Sequence, residues 1–367
     1  MNGIRGNVIV GQSGGPTAVI NSSLAGVFKT AKDRGANKVY GMLHGIQGLL
    51  QERYVDLEDH IKNDLDIELL KRTPSAYLGS CRFKLPDISQ DREIYDKIFD
   101  ILNKLEIEYF FYIGGNDSMD TIKKLSDYSL LNGSNIRFMG VPKTIDNDIY
   151  GTDVTFGFQS AINIATETID CIHTTAASHN RVFIVEVMGH KVGWLTLYAG
   201  VAGGADIILL PEIPYDIDKV VDAIHKRTKD GKGFTILAVA EGAISKDDAQ
   251  LTKKQYKAKV ASRRYPSVSY EIADQIQEKC GVEVRVAVPG HTQRGGSPCP
   301  YDRVLCTRLG SAAAQAIMDG KFGYMIAMIN NKTKCVPLED VAGKLKTVDP
   351  DSQMIQEAKR IGISFGD

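Results

Sequence analysis

A short segment near the middle of the chain combines the side chains that phosphate chemistry needs. Lys143, Thr144, Asp146 and Asp148 lie within six residues and follow an apolar run at residues 137–141. Transfer of a phosphoryl group to an alcohol needs a base for the hydroxyl, a hydrogen-bond donor for the moving group and positive charge for the leaving phosphate. A carboxylate, the threonine hydroxyl and the lysine supply these groups. An ordinary turn is the alternative, since Asp and Asn both favour turns.

The spacing of the two carboxylates suggests a division of work between them. Asp146 and Asp148 are separated by one residue, so in an extended loop both side chains point the same way. One carboxylate would accept a proton from a sugar hydroxyl, while the other would tune that base or hold a metal ion. Lys143 brings a point charge that suits a phosphate, and a surface lysine is the alternative interpretation.

A first glycine-rich turn follows the apolar run at residues 7–10. Gly14 and Gly15 lead towards a helix predicted over residues 17–32, with Pro16 expected in its first turn. Bare backbone at a helix N-terminus binds anions, although a tight turn alone would also explain the two glycines. The segment matches neither the dinucleotide fingerprint nor the Walker phosphate loop.

A second glycine-rich turn follows the apolar run at residues 109–113. Gly114 and Gly115 permit close approach of a phosphate, and Asn116, Asp117 and Ser118 come directly after them. These polar side chains would reach a Mg²⁺ ion or a phosphate oxygen. Simple turn chemistry, with Ser118 serving only as a helix N-cap, is the alternative.

Further polar residues stand at the starts and ends of predicted strands. An anionic sugar phosphate needs a cradle of basic side chains, although each of these residues alone would more often be a surface charge. Arg294 is the most specific, because the glycines at positions 295 and 296 let a ligand come close. Glu241 would hydrogen-bond a sugar hydroxyl or remain exposed to solvent. The basic residues are Arg181, Arg285, His291 and Arg294.

Apolar runs alternate with helical patterns along the whole chain. The runs are rich in Val and Ile without clear alternation, which predicts strands buried on both faces in parallel sheets covered by helices. In such sheets ligands bind at the carboxyl ends of strands, where the polar groups above fall. The predicted strands cover residues 7–10, 38–43, 109–113, 137–141, 181–187, 205–210, 234–240, 284–288 and 325–329.

Composition narrows the class of protein. The 367 residues are enough for two domains, and 44 Lys and Arg against 45 Asp and Glu argue against nucleic acid or membrane as the main partner. No apolar run approaches the roughly 20 residues that span a bilayer, and residues 1–5 lack the apolar core of a signal peptide. Six scattered cysteines without a CxxC pair favour reduced thiols. We therefore expect a cytoplasmic protein.

Together these motifs resemble the phosphofructokinase family. They occur in the family's order and extend over about residues 7–340. The most specific are the segment around Asp146 and the segment around Arg294. The matching segments are Ser13-Gly14-Gly15, Gly79-Ser80-Cys81-Arg82, Gly114-Gly115-Asn116-Asp117-Ser118, Pro142-Lys143-Thr144-Ile145-Asp146-Asn147-Asp148, Glu186-Val187-Met188-Gly189, Glu241-Gly242 and Gly290-His291-Thr292-Gln293-Arg294-Gly295-Gly296-Ser297-Pro298.

The resemblance implies a fold and a reaction. It implies an α/β protein of two similar Rossmann-like, three-layer domains with mainly parallel sheets and the active site in the cleft between them. A larger donor-binding domain would comprise residues 1–157 and 293–343, and a smaller sugar-phosphate domain residues 158–292 and 344–367. The reaction would be transfer of a phosphoryl group to the 1-hydroxyl of fructose 6-phosphate in glycolysis, in a homodimer or homotetramer with shared active sites.

The resemblance also implies roles for individual residues. Asp146 would be the general base, supported by Thr144 and Asp148, and Arg181 and Arg285 would reach the substrate from a neighbouring subunit. Mg²⁺ would be the cofactor, with Asn116 at a position where many members carry an aspartate ligand. The sugar phosphate would contact Met188, Gly189, His190, Glu241, His291 and Arg294. The phosphoryl donor would contact Gly14, Gly15, Arg82, Asn116, Asp117, Ser118 and Lys143.

Two positions bear on the phosphoryl donor. ATP-using members typically carry glycine where this chain has Asp117 and Lys143, and a carboxylate at the first position would repel a nucleotide's α-phosphate in a poorly solvated site. The segment Leu43-His44-Gly45 also replaces a tyrosine-containing turn that often packs near adenine in ATP-using members. The resemblance therefore favours pyrophosphate and a reversible reaction. An ATP-dependent 6-phosphofructokinase is the alternative, and a catalytically silent regulatory subunit that binds sugar phosphate is a second one.

Overall fold

The computed structural model describes residues 6–367, so the prediction about a signal peptide, which concerns residues 1–5, lies outside the described residues. The described chain alternates between strands and helices. The strands are β1 (Asn7–Gln12), β2 (Val39–Met42), β3 (Tyr54–Asp56), β4 (Ile107–Gly114), β5 (Arg137–Thr144), β6 (Phe156–Gly157), β7 (Val182–Val187), β8 (Ile207–Leu209), β9 (Thr235–Ala240), β10 (Val284–Ala287), β11 (Tyr324–Ile329) and β12 (Lys332–Pro337).

Helices connect most of these strands. None of those formed by residues 6–367 is long and apolar enough to cross a membrane. The helices are α1 (Asn21–Asp33), α2 (Gly45–Leu49), α3 (Asp64–Arg72), α4 (Arg92–Lys104), α5 (Asn116–Leu131), α6 (Phe158–His179), α7 (Trp194–Ala202), α8 (Ile217–Lys229), α9 (Lys246–Ala249), α10 (Lys253–Ala261), α11 (Val268–Cys280), α12 (Pro300–Met318), α13 (Leu338–Val341) and α14 (Gln353–Arg360).

The described chain divides into two compact units. The larger unit contains the described residues up to Gln159 together with Arg294–Lys346, and the smaller unit contains Ser160–Gln293 and Thr347–Asp367. Each unit has a sheet and a core of its own.

The sheet of the larger unit has the strand order β12-β11-β5-β4-β1-β2-β3, and β6 pairs with the end of β5. Its central strands are parallel, and β1 is buried along its whole length because helices cover both faces. The outer strands β3 and β12 pair antiparallel with their neighbours. Helix α1 packs closely on α12, where a Cβ on Gly310 would lie 2.2 Å from the carbonyl oxygen of Ser23.

The sheet of the smaller unit has the order β10-β7-β9-β8, and its strands are all parallel. Strands β7 and β9 are buried at every position, and Ile184, Leu237 and Val239 belong to the core of the unit. The predicted α/β class with two mainly parallel sheets is therefore confirmed.

The first predicted helix begins later than expected. Hydrogen-bonded turns follow Thr17, and α1 starts only at Asn21. Pro16 thus lies before the helix, and the expectation that it stands in the first turn was wrong. The helix N-terminus therefore no longer supports the prediction of anion binding at this turn, which leaves the glycine backbone and the neighbouring cations as its basis.

Candidate active site

Lys143 lies inside a strand rather than in a loop. Strand β5 continues through Thr144, and Lys143 pairs in register with Phe156 of β6. The expectation that the strand ends at residue 141 was therefore wrong. A charged side chain in the sequence suggests a loop, but here the backbone continues to pair in the sheet. Lys143 is 2% exposed, which excludes the alternative of a surface lysine.

The buried ammonium of Lys143 lies beneath the first glycine turn. Its Nζ donates to the carbonyl oxygen of Gly15 at 2.6 Å. Gly14 has φ +77°, and a Cβ there would lie only 3.0 Å from the same Nζ. The backbone conformation therefore favours glycine at this position, and a Cβ would crowd the lysine ammonium.

Several charged side chains of the larger unit influence this ammonium. Burial lowers the pKa of Lys143 to about 8. Asp146 and Asp148 act to raise that pKa, whereas Arg294 and Arg82 act to lower it. The structure thus brings the two predicted catalytic carboxylates and three cations to one end of the sheet.

The loop that carries the two carboxylates is not extended. Asn147 has φ +54°, in the left-handed region, so the expectation that Asp146 and Asp148 point the same way from an extended loop loses its basis. The backbone N–H of Asp146 donates to Oγ1 of Thr144 at 3.1 Å. Asp148 is buried, whereas Asp146 is partly exposed, which suits a group that must meet a substrate.

The second glycine turn forms the start of α5. Gly115 is the N-cap and Asn116 is the first helical residue, so the alternative that Ser118 caps the helix was wrong. The hydroxyl of Ser118 instead pairs with that of Ser13 beneath the turn.

Asp117 lies in contact with solvent rather than in a closed pocket. Its side chain is 68% exposed and lies 3.2 Å from the ammonium of Lys84, which is itself exposed. A carboxylate here would repel a nucleotide strongly only in a poorly solvated site. Water screens charge at this degree of exposure, so the repulsion of a nucleotide's α-phosphate is weaker than expected.

The segment around Arg82 is tied to the first glycine turn. The backbone N–H of Gly14 donates to the carbonyl oxygen of Cys81 at 3.0 Å, and Oγ of Ser80 donates to the carbonyl oxygen of Gly14 at 2.6 Å. Arg82 itself is exposed. Beside this junction lies a cavity of ≈ 330 Å³, which is lined by His44, Gln47, Gly48, Gln51, Arg53 and Ser80.

The smaller unit has a pocket of its own at the ends of its strands. The pocket has a volume of ≈ 110 Å³ and combines carboxylates, an imidazole and apolar side chains. Its predicted members Met188, Glu241 and His291 are thus brought together. The complete lining is Glu186, Met188, Glu241, Val288, Gly290, His291 and Gln293.

Backbone hydrogen bonds shape this pocket. The carboxylate of Glu241 accepts from the backbone N–H groups of Gly189 at 3.2 Å and His190 at 2.7 Å. Gln293, which was not predicted as a site residue, is buried and accepts from the N–H of Met188 at 3.2 Å. His190 contributes its backbone N–H to the pocket, and the residue as a whole is exposed.

The two arginines expected to serve a neighbouring subunit lie together. Arg181 precedes β7, Arg285 lies on the edge strand β10, and both form ion pairs with Glu283. Glu283 was not predicted as a site residue. In the sequence, its pairing with Arg285 was indicated only by its position two residues earlier.

A sequence model of the family described as Phosphofructokinase matches residues 7–317. This chain belongs to the phosphofructokinase family. The ATP-dependent 6-phosphofructokinase of Spirochaeta thermophila is 42% identical to this family member over 362 residues, covering 97% of the chain and 96% of the relative. The ATP-dependent 6-phosphofructokinase 3 of Bacteroides thetaiotaomicron is 40% identical, covering 96% of this chain and 98% of the relative.

Solved structures of the family resemble the chain as well. The pyrophosphate-dependent phosphofructokinase from Nitrosospira multiformis matches with a TM-score of 0.83 and 28% identity, covering 98% of this chain and 92% of that chain. The pyrophosphate-dependent enzyme from Marinobacter aquaeolei matches with a TM-score of 0.80, 28% identity and the same coverage. The named relatives thus include users of both phosphoryl donors.

Proposed function

We propose that this family member is a 6-phosphofructokinase that transfers a phosphoryl group to the 1-hydroxyl of fructose 6-phosphate. The observation that carries the proposal is the buried ammonium of Lys143 under the Gly15 carbonyl, close enough to Asp146 and Asp148 for their charges to affect its pKa. A cation for phosphate and a carboxylate base for a hydroxyl are the groups that this transfer needs.

In this proposal the two units have different roles. The larger unit binds the phosphoryl donor at Gly14 and Gly15, and Asp146 removes the proton from the attacking hydroxyl. Arg82 adds positive charge on the donor side, Arg294 keeps its predicted role of binding the sugar phosphate, and Thr144 hydrogen-bonds the moving group. The smaller unit binds the sugar phosphate through its pocket around Met188, Gly189, His190, Glu241 and His291.

Residues of the larger unit fit a magnesium ion shared with the donor. The described residues contain no group of three or more His, Cys, Asp or Glu side chains that could hold a metal alone. Mg²⁺ in phosphoryl transfer is usually held by one or two protein ligands together with phosphate oxygens and water, so a small donor set fits. The partly exposed amide of Asn116, assisted by Asp117, would hold it. The ion would supply charge that neutralises the phosphates.

ATP is the first candidate for the phosphoryl donor. The relatives that are 40% and 42% identical over nearly the full chain carry ATP-dependent in their names. The ≈ 330 Å³ cavity adjoins the Gly14 turn through Ser80, and the ring of His44 lines it, so a nucleoside has room beside its phosphates. The exposure of Asp117 weakens the charge argument against a nucleotide.

Pyrophosphate is the second candidate, because Lys143 and Asp117 replace glycines that are typical of ATP-using members. Two solved structures that match the chain are also named pyrophosphate-dependent. A lysine that is already buried under the donor turn would hold the terminal phosphate of pyrophosphate and reduce the need for a nucleoside.

A paired-donor assay separates the candidates. The purified protein is given fructose 6-phosphate, Mg²⁺ and either ATP or pyrophosphate, and the double variant Asp117→Gly/Lys143→Gly is assayed alongside the single variant Asp117→Gly. ATP as donor gives turnover with ATP alone, and Asp117→Gly keeps it. Pyrophosphate as donor gives turnover with pyrophosphate alone, which the double variant loses. A folded wild type that is inactive with both donors would refute the proposal and favour the catalytically silent subunit.

The shared-site oligomer belongs to the same proposal. Arg181 and Arg285 are held by Glu283 at one edge of the smaller unit, where the phosphate of a sugar bound to a second copy of the chain would replace that carboxylate. A phosphate accepts charge-assisted hydrogen bonds from arginine as a carboxylate does.

A further inference from the structure

A partly buried lysine, Lys346, contacts the loop between the two carboxylates. Nζ of Lys346 donates to Oδ1 of Asn147 at 2.9 Å, to the carbonyl oxygen of Thr152 at 2.9 Å and to that of Asp153 at 3.0 Å. Its backbone N–H donates to the carbonyl oxygen of Asp148 at 2.9 Å. One residue thus holds the loop through both its main chain and its side chain.

The chemistry of this contact depends on an ammonium group. An ammonium has three protons to donate, and the three oxygen atoms accept from it in different directions. A neutral side chain of similar length, such as methionine, would remove this donor from all three acceptors, two of which belong to the buried residues Asn147 and Thr152. Burial lowers the pKa of Lys346 to about 8, while Asp153 and Asp148 act to raise it.

Asn147, whose side chain accepts from Lys346, adopts an unusual backbone conformation. Asn147 has φ +54° and is 4% exposed, and asparagine is one of few residues that tolerate this backbone region. Its Oδ1 also accepts from the backbone N–H of Thr155 at 3.1 Å. The orientation of Asn147 sets the directions in which the chain leaves towards Asp146 on one side and Asp148 on the other.

We propose that Lys346 is a positioning residue for phosphoryl transfer and acts through Asn147 to fix the direction of Asp146. The proposal rests on the proposed function, in which Asp146 is the base. Misplacing a reacting group by about 1 Å can lower the rate by about 10²-fold without weakening substrate binding. Loss of the lysine should therefore lower kcat and leave KM nearly unchanged.

The test compares variants of the full-length protein with the donor that the wild type uses. We expect Lys346→Met to lower kcat by about 10²-fold, with KM for fructose 6-phosphate close to that of the wild type. Lys344→Met is the matched control, because Lys344 lies two residues away, is exposed and contacts Asp340 and Tyr150 instead. Circular dichroism and thermal unfolding check that each variant is folded.

A double-mutant cycle tests the route through Asn147. Asn147→Gly keeps a positive φ accessible but removes the acceptor, so we expect it to lower kcat as Lys346→Met does. The variant with both changes should then lose little more than either alone. Losses that multiply, or wild-type kcat in Lys346→Met, would overturn the proposal.

The experiment distinguishes failure of the proposed function from failure of the role proposed for Lys346. A wild type without turnover with either donor refutes the proposed function, whereas an active wild type with an equally active variant refutes only the role of Lys346. If Lys346→Met does not fold, Asn147→Gly alone decides, and unchanged kcat in that variant overturns the proposal.

Discussion

The two units hold their binding groups in opposite ways. In the larger unit Lys143 is 2% exposed, and its ammonium already donates to Gly15. In the smaller unit Arg181 and Arg285 are much more exposed, and both pair with Glu283. Burial fixes a side chain at a cost in desolvation, whereas a solvated ion pair is weak and readily exchanged. We infer that the larger unit is built to orient reacting groups and the smaller unit to capture a substrate.

The largest expected effect concerns Asp146, the proposed base in the larger unit. We expect Asp146→Asn to lower kcat by about 10²–10⁴-fold, because a neutral amide cannot accept the proton of the attacking hydroxyl. Steady-state kinetics measure the loss, and KM should change little if the residue acts in orientation and proton transfer. Asp127→Asn, on the exposed face of α5 beside Lys123, is the control. Full activity of Asp146→Asn would contradict the assigned role.

A smaller effect, on KM rather than on kcat, is expected in the smaller unit. We expect Arg285→Ala to raise KM for fructose 6-phosphate about tenfold with little change in kcat, because it removes one charge-assisted contact to phosphate. Lys279→Ala, which removes a surface ion pair with Asp218, should leave both constants unchanged. A loss confined to kcat in Arg285→Ala would erase the distinction between the units.

The smallest effect is a pH dependence of stability. The pKa of Lys143 falls from its usual 10.5 to about 8 in the folded protein, so between these values the unfolded chain binds the extra proton. Raising the pH through this window therefore favours the folded wild type, by on the order of 1 kcal/mol per pH unit at most.

Denaturant titration of the wild type and Lys143→Met measures this dependence. The free energy of unfolding of the variant, relative to that of the wild type, should fall as the pH rises from about 8 towards 10.5. Lys344→Met, at an exposed position, should show no such trend. A pH-independent difference for Lys143→Met would mean that the ammonium is better solvated than its burial indicates.

Parts of this molecule were predictable from sequence because burial leaves a clear pattern. Strands β4, β7 and β9 are apolar runs covered on both faces, and their predicted bounds differ from the observed ones by at most two residues. The short β3 and the outer strand β12 were missed, since neither is a buried apolar run.

The details of the candidate site depend on features that have no local signal. Lys143 lies in a strand because its neighbours pair in the ladder, although its charge resembles that of a loop residue. Asn147 has a positive φ, and its side chain accepts from Lys346, which lies 199 residues away in the chain. Asp117 turns towards Lys84, a contact that no spacing rule predicts. Motifs thus identified the chemical groups, and tertiary contacts determined their directions.

The outer strand β12 has a consequence for how copies of the chain can associate. It ends the larger sheet with an antiparallel pairing to β11, and its exposed residues include Lys332 and Lys334. Lysines on an edge strand repel the same strand of a second copy when it approaches to extend the sheet. Growth of fibres by strand addition at β12 is therefore disfavoured.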